Sequence, residues 1–300
     1  MVENNTLIKL SSHFSMYPHS KIGNGAFGEI YLGKNIKTDK EIAIKLESRK
    51  IKHPQLLHEA KILKELQGEI GIPKIYYYNQ VSDYNCLVME LLGASLESLF
   101  NKCNRKFSLK TTLMIGLQIL DRVELLHNHK IIHRDMKPDN FLIGKGDNKN
   151  TIYVIDMGLS KKYIDSLTEK HIPFKDGKSL TGTVRYASIF THLGMEQSRR
   201  DDIEGLSYML VYFLQGVLPW QSQKAKSKKE KYQKIMEKKM NTTVENLCKG
   251  LPQIFCEIVT YPRKLTFEEQ PKYDYLRKLM KGEMEKEKYT MDYQYDWSDK

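Results

Sequence analysis

Ile131-Ile132-His133-Arg134-Asp135-Met136-Lys137-Pro138-Asp139-Asn140 follows a helix-like segment and sets two carboxylates, two cations, an amide and a rigid proline in one short run. A surface loop has no use for that density of mixed charge beside an apolar Ile-Ile pair. A phosphoryl-transfer site does. It needs a base where a hydroxyl attacks, a lysine at the transferred phosphoryl and an amide beyond the base to hold a metal. Asp135, Lys137 and Asn140 supply these in order. The His133-Arg134-Asp135 triplet can arise by chance; the full spacing through Asn140 seldom does.

Upstream, residues 1–15 are polar and aperiodic, which predicts a loose arm. Ile22-Gly23-Asn24-Gly25-Ala26-Phe27-Gly28 and the alternating Glu29-Ile30-Tyr31-Leu32 then predict a hairpin with glycines at its first bend. Such glycines let backbone N–H groups approach phosphate oxygens. A dinucleotide-binding unit would place them between a strand and a helix, whereas strands flank them here. Glu41-Ile42-Ala43-Ile44-Lys45-Leu46 is an alternating strand with one inward lysine. A lysine snorkelling from a strand end is the plainer explanation. Its position 17 residues after Gly28 favours an ammonium on the α- and β-phosphates. Pro54 opens a helix with Leu56, Ala60, Leu63 and Leu66 mostly on one face, and Glu59 beside that stripe can pair with Lys45. Strands are expected at Lys74–Tyr78 and Asn85–Met89. Gly93 then supplies the bend of a connector, Glu90-Leu91-Leu92-Gly93, whose backbone suits an adenine edge.

Leu109 to His127 is the clearest long helix, and it leads into the decisive stretch. Beyond it, the short strand Thr151–Ile155 ends in Asp156-Met157-Gly158. An aspartate before glycine can be ordinary turn chemistry; after a catalytic loop it reads as a second metal ligand. Residues 159–200 lack periodicity and are expected to form an activation segment. Asp202 stands at the start of an apolar helix ending near Gly216, as an N-terminal cap, with a second role in tying down the catalytic-loop backbone. Residues 224–239 contain eight lysines, and Tyr232, Ile235, Met236 and Met240 have helical spacing. Most of those lysines are therefore the wet face of an amphipathic helix.

A chain of 300 residues predicts two lobes, and no apolar run approaches the ~20 residues of a membrane span. The four cysteines lack metal spacing and read as reduced buried thiols. With no signal-peptide profile, no glycine for myristoylation and no prenylation motif, a cytoplasmic or nuclear location is expected. The net charge of +11 calls for an anionic partner or for a merely solvated basic surface.

The catalytic-loop spacing, the glycine lid and the Ala-Ile-Lys strand are together the protein-kinase pattern. From about Phe14 to Trp297 the chain resembles the casein kinase I family of Ser/Thr protein kinases. The most specific signs are His53-Pro54-Gln55-Leu56-Leu57, Gly71-Ile72-Pro73, Met89-Glu90-Leu91-Leu92-Gly93, Leu180-Thr181-Gly182-Thr183, Arg185-Tyr186-Ala187-Ser188 and Glu196-Gln197-Ser198-Arg199-Arg200-Asp201-Asp202. Ser188-Ile189-Phe190 stands where most kinases close the segment with Ala-Pro-Glu. Three residues depart from the family pattern: Met157 for phenylalanine, Ala26 for serine and Ser222 for an anion-binding glycine. Methionine has the reach to fill the same apolar slot as phenylalanine.

The resemblance implies an α+β, bilobed eukaryotic protein kinase fold: the arm 1–15, a small β-rich N-lobe at 16–90 and a larger helical C-lobe at 91–298. ATP and Mg2+ would be the cofactors. Asp135, Lys137, Lys45 and Glu59 form the catalytic set, and Asn140 and Asp156 hold the metal. Ile22, Gly23, Gly25, Gly28, Ile30, Ala43, Lys45, Met89, Glu90, Leu91, Leu92 and Asp156 bind the nucleotide. Substrates would be proteins with acidic or phosphorylated residues N-terminal to the acceptor, met by an anion pocket at Arg185 and Lys231 with Arg134, Lys161 and Lys178 nearby. A monomer without dedicated nucleic-acid binding or membrane insertion is expected. Two rivals remain at this stage. A pseudokinase would have lost charged residues, yet all six catalytic and metal-holding residues are present. A nucleic-acid binder would interleave several aromatic stacking platforms with the lysine run, and this one holds Tyr232 alone.

Overall fold

The computed structural model describes residues 7–25 and 28–298. It divides into two compact units. The first ends at Gly93 and takes in Leu142–Gly158; the second joins Ala94–Phe141 to the chain from Leu159 onward.

In the first unit, β1 (Ile8–Lys9), β2 (Phe14–Gly25), β3 (Gly28–Asn35), β4 (Glu41–Ser48), β5 (Ile75–Val81) and β6 (Tyr84–Glu90) form one antiparallel sheet in the order β1-β2-β3-β4-β6-β5. The period of two along β4 sends Ile42 and Ile44 to one face and Ala43 and Lys45 to the other. Ile42 and Ile44 join Phe14, Met16, Cys86 and Val88 in the core. The loose arm expected over 1–15 is corrected in its described part, because Ile8 and Lys9 pair with β2 and Phe14 is buried. Residues 1–6 of that expectation, and Ala26 and Phe27 of the glycine lid expected from the sequence, lie outside the described residues.

Helix α1 (Leu56–Glu65) buries Leu56, Glu59, Ala60, Ile62 and Leu63. It begins two residues after Pro54, because Glu47 of β4 does the capping. The Glu47 carboxylate accepts from Gln55 N at 2.6 Å, Leu56 N at 3.0 Å and Asn85 Nδ2 at 2.9 Å, and it is fully buried. Helix and sheet are thus joined by an anion at a helix N-terminus.

Gly93 has a different task from the bend expected of it. Its φ is not left-handed; a Cβ there would meet Ile143 Cγ1 at 2.8 Å, and its N–H donates to Ile143 O at 2.8 Å. Close approach to the pair β8 (Phe141–Ile143) and β9 (Ile152–Val154) is what requires glycine. Val154 N–H donates to Gly71 O at 2.9 Å, so Leu142–Gly158 groups with the first unit although it lies well beyond residue 93 in sequence.

The second unit is helical, with α2 (Leu96–Lys102), α3 (Leu109–Asn128), α4 (Ile189–His192), α5 (Arg199–Gln215), α6 (Lys228–Asn241), α7 (Val244–Leu247), α8 (Ile254–Lys264) and α9 (Tyr273–Lys286). The short strands β7 (Ile131–Ile132) and β10 (Lys161–Lys162) pair antiparallel. Helix α5 is buried along nearly its whole length, both its charged first turns and the mostly apolar Leu206–Leu214, and packs on α3 and α8. Its first turn is held by Asp201, which accepts from Ser198 N at 2.7 Å. The capping role expected of Asp202 therefore belongs to Asp201, one residue earlier. Gly216, with φ 85°, ends the helix. Phe100, Phe107, Tyr212, Phe213 and Trp297 form an aromatic cluster around the start of α3. No disulfide links the four cysteines, of which Cys256 is only partly buried. No helix among the described residues is long and apolar enough to cross a membrane.

Candidate active site

In the first unit the sheet places one row of candidates on the face that meets α1. Ile30 pairs with Lys45, and Ala43 with Met89. Lys45 Nζ reaches Glu59 Oε2 at 2.6 Å and Asp156 Oδ1 at 3.0 Å. All three charged groups are more than four-fifths buried. Burial works against the ammonium, but the Glu59 and Asp156 carboxylates outweigh it and hold the Lys45 pKa above its ordinary value. The lysine is a fixed positive charge at neutral pH. Asp156 adopts a left-handed φ of 62°, and Met157, fully buried after it, takes the apolar slot expected of it. Around the glycine lid, Gly23 pairs with Ile30 and Gly25 with Gly28, while Ile22 is half exposed. Glu90 N–H donates to Lys74 O at 2.8 Å, and Leu91 and Leu92 continue beyond β6 out of the sheet.

Glu47 is a supporting residue that sequence reasoning missed. It anchors the helix that delivers Glu59, and the sequence hints at it only as one more charged residue on the Ala43 and Lys45 face of β4. Replacing it with alanine leaves two helix N–H groups and the Asn85 amide without their acceptor. The expected loss is about 2–3 kcal/mol, read as a lowered urea midpoint at unchanged m-value.

In the second unit Asp135 is nearly buried and surrounded by donors. Its Oδ1 accepts from Thr183 N and Thr183 Oγ1, both at 2.7 Å; its Oδ2 meets Lys137 Nζ at 2.8 Å. The Asn140 side-chain amide donates to Asp135 O at 2.9 Å through its NH2 half, and its carbonyl oxygen is a hard donor of the kind that could hold a metal. This set can orient a hydroxyl at Asp135 and hold a phosphoryl at Lys137. The loop itself hangs on Asp202, which accepts from His133 N at 2.8 Å, Arg134 N at 2.9 Å and His127 Nε2 at 2.9 Å. That second role expected of Asp202 is its position here. Thr183 was not singled out as a functional residue, and only the Thr-Gly-Thr run could have hinted at it. Gly182, with φ 91°, leaves no room for a Cβ against the Arg134 carbonyl, which brings Thr183 onto Asp135.

The five cations expected around one anion pocket fall into two groups. Lys161 and Lys178 are paired with Glu196, at 3.1 and 3.3 Å, and Arg134 Nε donates to Leu159 O. Glu196 is buried, which raises its pKa, yet Lys161 and Lys178 hold it below the usual carboxylate range. One carboxylate of the chain already occupies both lysines of that group and offsets part of its charge. Arg185 and Lys231 instead line a separate cavity of about 940 Å³ together with Thr183, Ser222, Lys226 and Lys228. Among the described residues Asp139 is the one carboxylate on its lining, against Arg185, Lys226, Lys228 and Lys231, so the cavity is positive. Arg185 lies over the rings of Tyr186 and Tyr212, at 5.6 and 5.5 Å, which confines the guanidinium. Ser222 has a φ of 62°, a conformation that suits the glycine of the family pattern better than a serine.

The sequence matches the family model for the protein kinase domain over residues 17–289. The chain belongs to the protein kinase family. The sheet-bearing unit is the N-lobe of this kinase and the helical unit its C-lobe. The Lys45–Glu59 pair, which protein kinases need for activity, is formed.

Proposed function

We propose that this kinase is a Ser/Thr kinase of the casein kinase I type, transferring the γ-phosphoryl of MgATP to acidic or pre-phosphorylated proteins. Asn140 and Asp156 would hold magnesium, and the oxygen donors they offer fit a hard cation. Lys45 and Lys137 would bind phosphates, and Asp135 would orient the acceptor hydroxyl. The metal would supply positive charge to offset that of the phosphates; the protein contributes position and fixed charge.

The observation that carries the substrate reading is the positive cavity at Arg185 and Lys231. Thr183 lies on its wall and is bonded to Asp135, so an anion there would sit a few residues from the acceptor along one peptide. Arg185 offers a bidentate fork to phosphate. The test is a peptide pair differing only in a phosphoserine three residues before the acceptor serine. The primed peptide is expected to have a kcat/KM about ten- to a hundredfold higher, since a charge-assisted contact contributes about 1.5–3 kcal/mol. Arg185→Ala/Lys231→Ala should remove that advantage. Equal efficiency on both peptides, or a double variant that keeps the preference, would defeat the reading.

A further inference from the structure

Of the eight lysines between residues 224 and 239, Lys239 is the one with no exposed surface. Its ammonium is held by backbone. Its three N–H bonds are shared among four acceptors: Val184 O at 3.2 Å, Arg185 O at 3.4 Å, the Ala187 carbonyl and His192 Nε2 at 3.1 Å. The rings of Tyr208 and Trp220 lie 4.9 Å away, and the Trp220 indole N–H donates to the Arg185 carbonyl at 2.8 Å. Burial lowers the Lys239 pKa against the pull of Glu204, the three carbonyl acceptors favour its charged form, and burial with the Lys239 charge pushes His192 down to about 3. His192 is therefore a neutral acceptor at physiological pH.

The segment gathered in this way has both ends fixed already. Thr183 is bonded to Asp135, and Ser188 Oγ donates to Asp201. Between them the chain belongs to no strand or helix, so its buried carbonyls have no ladder to satisfy them. The ammonium takes three of them at one point. Arg185 is the charged residue that this segment contributes to the lining of the positive cavity.

We propose that Lys239 is a positioning residue for substrate: by collecting the carbonyls of Val184, Arg185 and Ala187, it fixes the distance from Asp135 to the Arg185 cavity. It thereby sets the spacing between priming anion and acceptor. The proposal rests on the primed-substrate reading. It adds a residue that touches neither the phosphate nor the acceptor.

The test measures kcat and KM on three peptides with phosphoserine two, three or four residues before the acceptor, beside the unprimed peptide. For Lys239→Met, the KM of the best-spaced primed peptide should rise about tenfold, the size of one lost charge-assisted anchor, while its KM for ATP stays put. The ratio between the three spacings should flatten. A merely structural loosening would lower all four peptides alike and leave the spacing ratio unchanged, which would overturn the proposal. Should Lys239→Met not fold, Trp220→Phe removes the other donor to the Arg185 carbonyl and should flatten the ratio to a smaller degree; an unchanged ratio there overturns it equally. An Arg185→Ala arm separates the two ideas. If that variant keeps the priming advantage, the phosphate-pocket reading fails. If it loses the advantage while Lys239→Met retains the spacing profile, the positioning role fails alone.

Discussion

Lys45→Met and Asp156→Asn are each expected to reduce kcat/KM on a peptide substrate by at least roughly 10² to 10³, since one preorganised charge in such a site contributes about 3–4 kcal/mol to the barrier. Lys45 is the centre of a three-membered buried ion cluster, bonded to Glu59 at 2.6 Å and to Asp156 at 3.0 Å. Methionine preserves the length and apolar stem of the lysine but leaves two carboxylates facing each other without a cation. The near-buried Glu59 would then take up a proton more readily, because burial already pushes its pKa up and only the Lys45 charge opposes this strongly. Asp156→Asn keeps the shape and a hydrogen-bond acceptor for Lys45 while removing the anionic donor proposed for magnesium. Both variants should fold, which thermal unfolding monitored by circular dichroism would confirm. Turnover within a few-fold of the unsubstituted kinase would mean that these residues do not have the assigned roles.

The largest stability effect is expected at Asp202. Its carboxylate serves two backbone N–H groups of the catalytic loop and the His127 ring, and it is almost wholly buried. The Tyr273 hydroxyl donates to His127 Nδ1 at 2.7 Å, so the ring presents its Nε2–H to Asp202. Asp202→Asn turns an amide NH2 toward groups that are themselves donors. A cost of about 3–5 kcal/mol is expected, and an activity loss should accompany it because Asp135 rides on the same loop. Urea unfolding at neutral pH checks the first, and peptide kinetics well below the midpoint checks the second. A loss under ~1 kcal/mol would show that the loop is held by other means.

The same network makes the kinase acid-sensitive in two windows. Burial pushes the His127 pKa below its ordinary 6.5, so the unfolded chain takes up a proton that the folded ring refuses. The stability contributed by neutral His127 is complete above pH 6.5 and declines as pH falls below it. Burial raises the Asp202 carboxyl, but the hydrogen bond from His127 and the loop N–H groups outweigh this and hold it below 3.8. Its contribution is present above pH 3.8 and is lost only as pH drops through the folded value. Stability measured from pH 7 to pH 4 should therefore fall first through the histidine.

Short-range chemistry was legible in the amino-acid order alone. Asp135, Lys137 and Asn140 are two to five residues apart, so the bond from the Asn140 amide to the Asp135 carbonyl is a local consequence of their spacing. The period of two along β4 turned Lys45 away from Ile42 and Ile44, and the 3.6-residue period of α1 put Glu59 beside a buried stripe. Periodicity reports which face a side chain occupies; it does not report what lies across from that face. That is why Glu47 went unnoticed as the cap of α1, and why Thr183 was not matched to Asp135 across 48 residues. The cations show the limit most sharply. Nearness in sequence suggested one cluster, but packing set Glu196 between Lys161 and Lys178 and left Arg185 and Lys231 to a cavity of their own. Among eight lysines of similar outlook, only the tertiary structure turned Lys239 inward, where unpaired carbonyls of a non-repetitive segment needed a donor. A buried polar group must find its partner wherever the fold brings one, and that partner is chosen by packing at long range rather than by neighbours in the chain.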